Sequence, residues 1–162
     1  MVSEIVDAAA VKAFWESFRS SLPEFSPWKN AVMPPAWQFG RDDILAQELA
    51  DLVITGEKRA TASLFWEYER DDEILPKLGD LSIILDGKNL PVCIIETTTV
   101  QIVPFDEVSE RFATEEGEGN KTLRYWKDVH WRFFTITCQE IGQKVSQTMP
   151  VVCEEFRKIY PV

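Results

Sequence analysis

Apolar residues recur at helical spacing toward both ends of the chain and at strand spacing through its middle. Val11, Phe14, Trp15 and Phe18 fall at i, i+3, i+4 and i+7, which predicts an amphipathic helix over residues 4–20, ending before Leu22-Pro23. Ile44, Leu45, Leu49, Leu52 and Val53 share one side of a second helix, with Asp42 or Asp43 as N-cap and Gly56 at the left-handed C-terminal position. Between them, Pro23, Pro27, Pro34 and Pro35 forbid regular helix, while Trp28 and Trp37 give that stretch enough apolar surface to be an ordered covering segment. Strand signals follow at 63–68, 80–85, 90–96 and 97–103, with a turn at Asp86-Gly87. Pro104 opens a short helix carrying Phe105, Val108 and Phe112, residues 122–141 read as a longer helix stopped by Gly142, and Val151–Tyr160 reads as a closing strand. Short strands clustered in the middle with helices at the flanks indicate α+β, with a small barrel as one way to close them.

Composition narrows the function classes. At 162 residues and 45% hydrophobic, the chain is the size of one domain, read as spanning 1–162. Residues 1–36 supply the N-terminal helix and the proline-tryptophan cover, and 37–162 the strands and remaining helices. A net charge of -10 disfavours a protein that coats nucleic acid or anionic lipid. The acidic N-terminal segment does not read as a secretory signal, and no apolar run approaches the ~20 residues of a spanning helix, so a soluble cytoplasmic protein without membrane partners is expected. Cys93, Cys138 and Cys153 stand singly among apolar residues, as buried free thiols do.

Two segments carry candidate chemistry. In Gly56-x-Lys58-x-x-Thr61-x-Ser63, a cation and two hydroxyls crowd a helix-to-strand passage. On a structural reading Gly56 caps the helix, Lys58 offsets its dipole and the hydroxyls are turn and strand residues. On a chemical reading Lys58 activates the Thr61 hydroxyl, as lysine does in Ser-Lys hydrolases. Glu115-Glu116-Gly117-Glu118-Gly119-Asn120 is either a solvated acidic turn, or a corner holding one carboxylate in a cleft as acid or base, or a magnesium site. The lone histidine, His130, lies on the apolar side of the long helix and reads as a satisfied, half-buried residue, which shifts acid-base work to lysine and carboxylates. Phe65 and Trp66 offer faces for a planar base or for the core, and strand alternation would set Phe65 and Glu67 opposite Trp66 and Tyr68.

Several ordered blocks together resemble the ASCH domain family, a PUA-like fold. They are Gly56-x-Lys58-x-x-Thr61-x-Ser63, Leu75-Pro76-Lys77-Leu78-Gly79-Asp80, Pro91-Val92-Cys93-Ile94-Ile95-Glu96-Thr97, Phe112-Ala113-x-Glu115-Glu116-Gly117-Glu118-Gly119-Asn120 and Pro150-Val151-Val152-Cys153-Glu154-x-Phe156. The resemblance runs from about Trp37 to the C-terminus and departs from the common pattern at Asn120, where Asp is usual. It implies a small mixed β-barrel with flanking α-helices and a cleft used in RNA or modified-nucleoside chemistry. Some relatives hydrolyse the acyl amide of N4-acetylcytidine with a lysine, a threonine three residues on and a downstream glutamate, which correspond to Lys58, Thr61 and Glu116. Ser63, Phe65, Trp66, Arg59 and Glu118 are then the expected substrate-binding residues, with no cofactor and no metal. The alternative is an RNA-binding protein or a magnesium-dependent ribonuclease for single-stranded RNA, which requires a basic stripe from residues such as Lys58, Arg59, Lys77 and Arg124.

Overall fold

A computed structural model describes residues 5–162. In chain order the elements are α1 (Ala8–Ser21), β1 (Ala36–Gln38), α2 (Asp43–Thr55), β2 (Ala60–Leu64), α3 (Phe65–Asp71), β3 (Leu81–Leu85), β4 (Pro91–Pro104), a 3-10 turn (Phe105–Glu107), α4 (Glu110–Glu116), α5 (Leu123–Ile141) and β5 (Pro150–Tyr160). The fold is α+β, with five strands in the order β1-β3-β4-β5-β2. β1 runs parallel to β3, whereas β3–β4 and β2–β5 are antiparallel, so the sheet is mixed. The barrel implied by the resemblance is not closed by backbone pairing among the described residues: β1 and β2 end the strand order. A three-residue β1 and a β2 that turns into helix at Phe65 offer little ladder for closure.

The chain forms two compact units. One comprises the residues up to Gly56, Asp80–Glu96 and Arg157–Val162; the other comprises Glu57–Gly79 and Thr97–Phe156. In the first, Val11, Trp15 and Phe18 of α1 pack with Ile83 and Leu85 of β3 and Ile94 of β4, as the helical spacing anticipates. The expected start of this helix at Glu4 lies outside the described residues; Asp7 caps it, accepting from the amides of Ala9 and Ala10. Trp28 packs on the same core, with its ring 6.2 Å from Phe18, which anchors the proline-rich segment. That segment also contains β1, which its prolines hid. Asp42 caps α2, and Gly56 ends it at φ 82°.

The second unit buries Ala60, Leu64, Phe105, Phe112, Trp126, Phe134, Val151 and Cys153, among others. Here several sequence expectations need correction. The strand expected over 63–68 stops at Leu64, because the Glu67 side chain accepts from the Leu64 amide at 3.2 Å and the chain continues as helix. The two strands expected over 90–103 are one, β4. The helix expected from Pro104 is a 3-10 turn followed by α4, whose N-cap Ser109 accepts from the Phe112 amide at 3.1 Å. Glu115 and Glu116 consequently lie in the last turn of a helix, not on a loop.

Candidate functional site

Within the second unit, three segments far apart in sequence meet around Lys58. α4 ends at Gly117, with φ 72°, and a Cβ there would collide with the Glu57 carbonyl, so only glycine lets this turn lie against residues 57–58. The Arg59 amide donates to the Glu115 carbonyl at 2.7 Å, and the Phe156 amide donates to the Arg59 carbonyl at 2.9 Å. The second bond fixes the phase of the β2–β5 ladder: Arg59 turns its carbonyl, and Thr61 and Ser63 their N–H and C=O groups, toward β5, and Ala60 turns its carbonyl to the outer edge. The Lys58 ammonium reaches that carbonyl at 2.8 Å.

Lys58 is 2% exposed and Glu116 1%. The ammonium lies 2.9 Å from Glu118 Oε2 and 3.7 Å from Glu116 Oε1. Glu116 is held from the other side by α5, where Trp126 and His130 stand one turn apart with their rings stacked, centroids 4.1 Å apart. Trp126 Nε1 donates to Glu116 Oε2 at 2.5 Å, and His130 Nε2 lies 3.0 Å from the same oxygen. His130 Nδ1 lies 2.9 Å from the Trp126 carbonyl. A carbonyl and a carboxylate only accept, so both ring nitrogens carry hydrogen and His130 is an imidazolium. The electrostatics agree: burial alone would lower the His130 pKa, but attraction and hydrogen bonding from Glu116, with help from Glu118 and the Trp126 carbonyl, raise it. Burial likewise pushes Glu116 up, and Lys58, His130 and Trp126 together outweigh it and hold the carboxyl below its usual range. Two cations and two anions thus balance in a buried group, as buried charge requires.

Of the expected site residues, Lys58, Glu116 and Glu118 come together here. His130, read from sequence as a satisfied, half-buried residue, is indeed partnered, and its partner is Glu116; Trp126 holds the same carboxylate, and while their i, i+4 spacing was visible, that shared partner was not. Thr61 and Ser63 leave β2 on the face opposite Ala60, Ala62 and Leu64, whose side chains join the core. The Ala60 carbonyl carbon is bonded to the Thr61 nitrogen, so the Thr61 hydroxyl lies within roughly 8 Å of the Lys58 ammonium. Phe65 and Trp66 begin α3, where Trp66 packs on the core, so the strand alternation expected for them does not apply. Arg59 is exposed and pairs with Glu115 at 2.9 Å. Lys58 and Arg59, two members of the basic stripe needed for RNA, are therefore committed to carboxylates.

Glu116, Glu118 and His130 present ligand atoms within 4.8 Å of one another, a grouping that suits a divalent cation by distance. The hydrogen bonding does not suit one: the carboxylates face the Lys58 ammonium, and His130 points N–H, not a lone pair, at Glu116. Metal would have to displace the lysine and deprotonate the histidine.

The sequence profile of the ASCH domain matches residues 35–160. No curated protein matches the chain. Among solved structures, an ASCH domain from Lactobacillus crispatus is 33% identical, covers 99% of this chain and 100% of its own, and superposes with a TM-score of 0.88. A protein from Enterococcus faecalis is 36% identical over 93% of this chain and 88% of its own, with a TM-score of 0.81.

Proposed function

Because the chain belongs to the ASCH domain family, we propose that it is an amidohydrolase removing the acyl group from N4-acetylcytidine and related N4-acylated cytidines. The observation that carries this reading is the buried Lys58 ammonium, hydrogen-bonded to Glu118 and to the carbonyl that precedes Thr61 and ion-paired with Glu116 at 3.7 Å. Thr61 Oγ1 attacks the acyl carbon. Its proton passes to Lys58 as Lys58 passes one to Glu116, so Glu116 is the net base. Trp126 and the His130 imidazolium keep that carboxylate anionic and oriented in the resting state. Collapse of the tetrahedral intermediate returns the proton through Lys58 to N4, releasing cytidine and leaving an acyl ester on Thr61. Water then attacks the ester, its proton following the same path back to Thr61 Oγ1, and the carboxylic acid departs.

The acidic surface charge and the absorption of Lys58 and Arg59 into ion pairs favour a neutral nucleoside over a polyphosphate strand. The magnesium-dependent ribonuclease reading keeps one observation in its favour, the spacing of Glu116, Glu118 and His130. Mixing purified protein with N4-acetylcytidine and following the absorbance change to cytidine decides between them. Release of cytidine in the presence of chelator, lost in Lys58→Ala and Thr61→Ala, is expected. Absence of turnover, or turnover undiminished in Lys58→Ala, overturns the proposal.

A further inference from the structure

A second polar group occupies the sheet face that carries Thr61. Residues directly opposite in an antiparallel pair share a face, and the register sets Thr61 against Glu154 and Ser63 against Val152. Glu154 is only 9% exposed, and its Oε1 accepts from the Thr97 hydroxyl at 2.7 Å. Ser63 Oγ and the Tyr68 hydroxyl lie 3.1 Å apart. Tyr68 comes from α3, which starts one residue after β2 ends, so the helix swings the phenol back over the strand. Burial is the main cause raising the Tyr68 pKa; Ser63 opposes it, and the nearby Glu154, Glu67 and Glu73 carboxylates add to it, so the phenol remains a neutral donor. Thr61, Ser63 and Tyr68 are half-buried.

We propose that Glu154 and the Ser63–Tyr68 hydroxyl pair form the pyrimidine-reading site beside Thr61, with the Glu154 carboxylate accepting the N4–H of a cytosine and the Tyr68 hydroxyl donating to ring N3. This rests on the amidohydrolase reading for its substrate class and extends it to residues outside the Lys58 group. An acceptor next to a donor is the complement of the N4–H and N3 edge of cytosine. Uracil presents the inverse edge, an O4 acceptor next to N3–H, and would place O4 against the carboxylate. Base preference therefore resides in Glu154, while the Ser63 bond orients the phenol. Bound this way, the base sets its N4 substituent on the face of β2 that carries the Thr61 hydroxyl.

Calorimetric titration of the whole protein with cytidine and with uridine tests this without requiring turnover. Wild type is expected to bind cytidine at least ~10-fold more tightly than uridine, the scale of one well-placed hydrogen bond against a repulsive one. Glu154→Gln, whose amide can donate to O4, is expected to abolish or invert that preference, an effect that loss of packing alone would not produce. Tyr68→Phe, which keeps the ring, is expected to weaken cytidine by a similar factor and serves should Glu154→Gln not fold. Wild type that binds both nucleosides equally, or a Glu154→Gln protein that folds and keeps the wild-type preference, overturns the proposal. Cytidine preference that shifts in Glu154→Gln, in a protein that hydrolyses no acylcytidine, upholds this site and rejects the amidohydrolase reading alone.

Discussion

Removing the ammonium from the buried charge group is the sharpest test of how that group is held. Lys58→Met keeps the volume of the stem and deletes the charge. Glu116, 1% exposed, then loses the cation 3.7 Å from Oε1, and the Ala60 carbonyl loses its 2.8 Å donor. Glu118, whose side chain is 22% exposed, can turn to water and costs little. Stranding one partner of a buried pair costs about 3–5 kcal/mol. Trp126 and His130 still hold Glu116, which places the loss near the lower limit, about 3 kcal/mol. For a chain of this length each kcal/mol moves Tm by about 2–4 °C, so the variant should melt about 6–12 °C lower at neutral pH. Urea unfolding of wild type, Lys58→Met, Glu116→Gln and the double variant completes the cycle, with an expected coupling above ~1 kcal/mol. The deficit should be full near neutral pH and shrink as acid protonates the stranded carboxyl. Additive losses, or a Lys58→Met loss below ~1 kcal/mol, would refute the claim that the lysine compensates Glu116.

Two further outcomes follow from the same geometry. His130 has a raised folded pKa, so its stabilisation is complete below its ordinary value of 6.5 and disappears as pH climbs through the raised one. Glu116 is depressed, so its share is complete above 4.5 and disappears as pH drops through the lowered one. The stability difference between wild type and His130→Ala should therefore be greatest between pH 4.5 and 6.5 and decline on the alkaline side; a difference that stays flat into alkali would rule out the imidazolium assignment. Burial pushes the Cys93 and Cys153 thiols up to about 12, so a thiol reagent at neutral pH should leave the native protein unlabelled and modify it only in denaturant; rapid labelling of folded protein would contradict their burial.

The elements legible in the sequence were those whose cause is local. Asp42 and Gly56 bound α2 through caps that lie within a residue of its ends, and Thr122 and Gly142 do the same for α5. Phe65 to Tyr68 misled because three of these four residues are aromatic and aromatic residues favour strand, whereas the deciding contact is a Glu67 side chain returning to the Leu64 amide. β1 was missed because its strand character comes from pairing with β3, 47 residues onward, at Ala36 and Ile83. The site divides in the same way. Lys58, Glu116 and Glu118 stood out as charges in unusual settings, but the role of His130 depends on α4 delivering Glu116 to α5, which no periodicity of α5 announces. Glu154 stood out only as one member of the closing family block and not as a site residue, since an acid in an apolar strand acquires its role from the residue across the ladder.

Arg59 is stitched through its amide to Glu115 and through its carbonyl to Phe156, two residues distant from it along the chain and from each other. Closing both loops costs chain entropy before either bond forms, so both bonds depend on segments far from Arg59 having been brought to it. On a ribosome the Arg59 carbonyl must wait for β5, the last strand of the sheet, before its partner exists. Hydrogen exchange would record this as a shared fate: the amides of Arg59 and Phe156 should open together, at the free energy of unfolding this whole unit rather than that of its exposed turns.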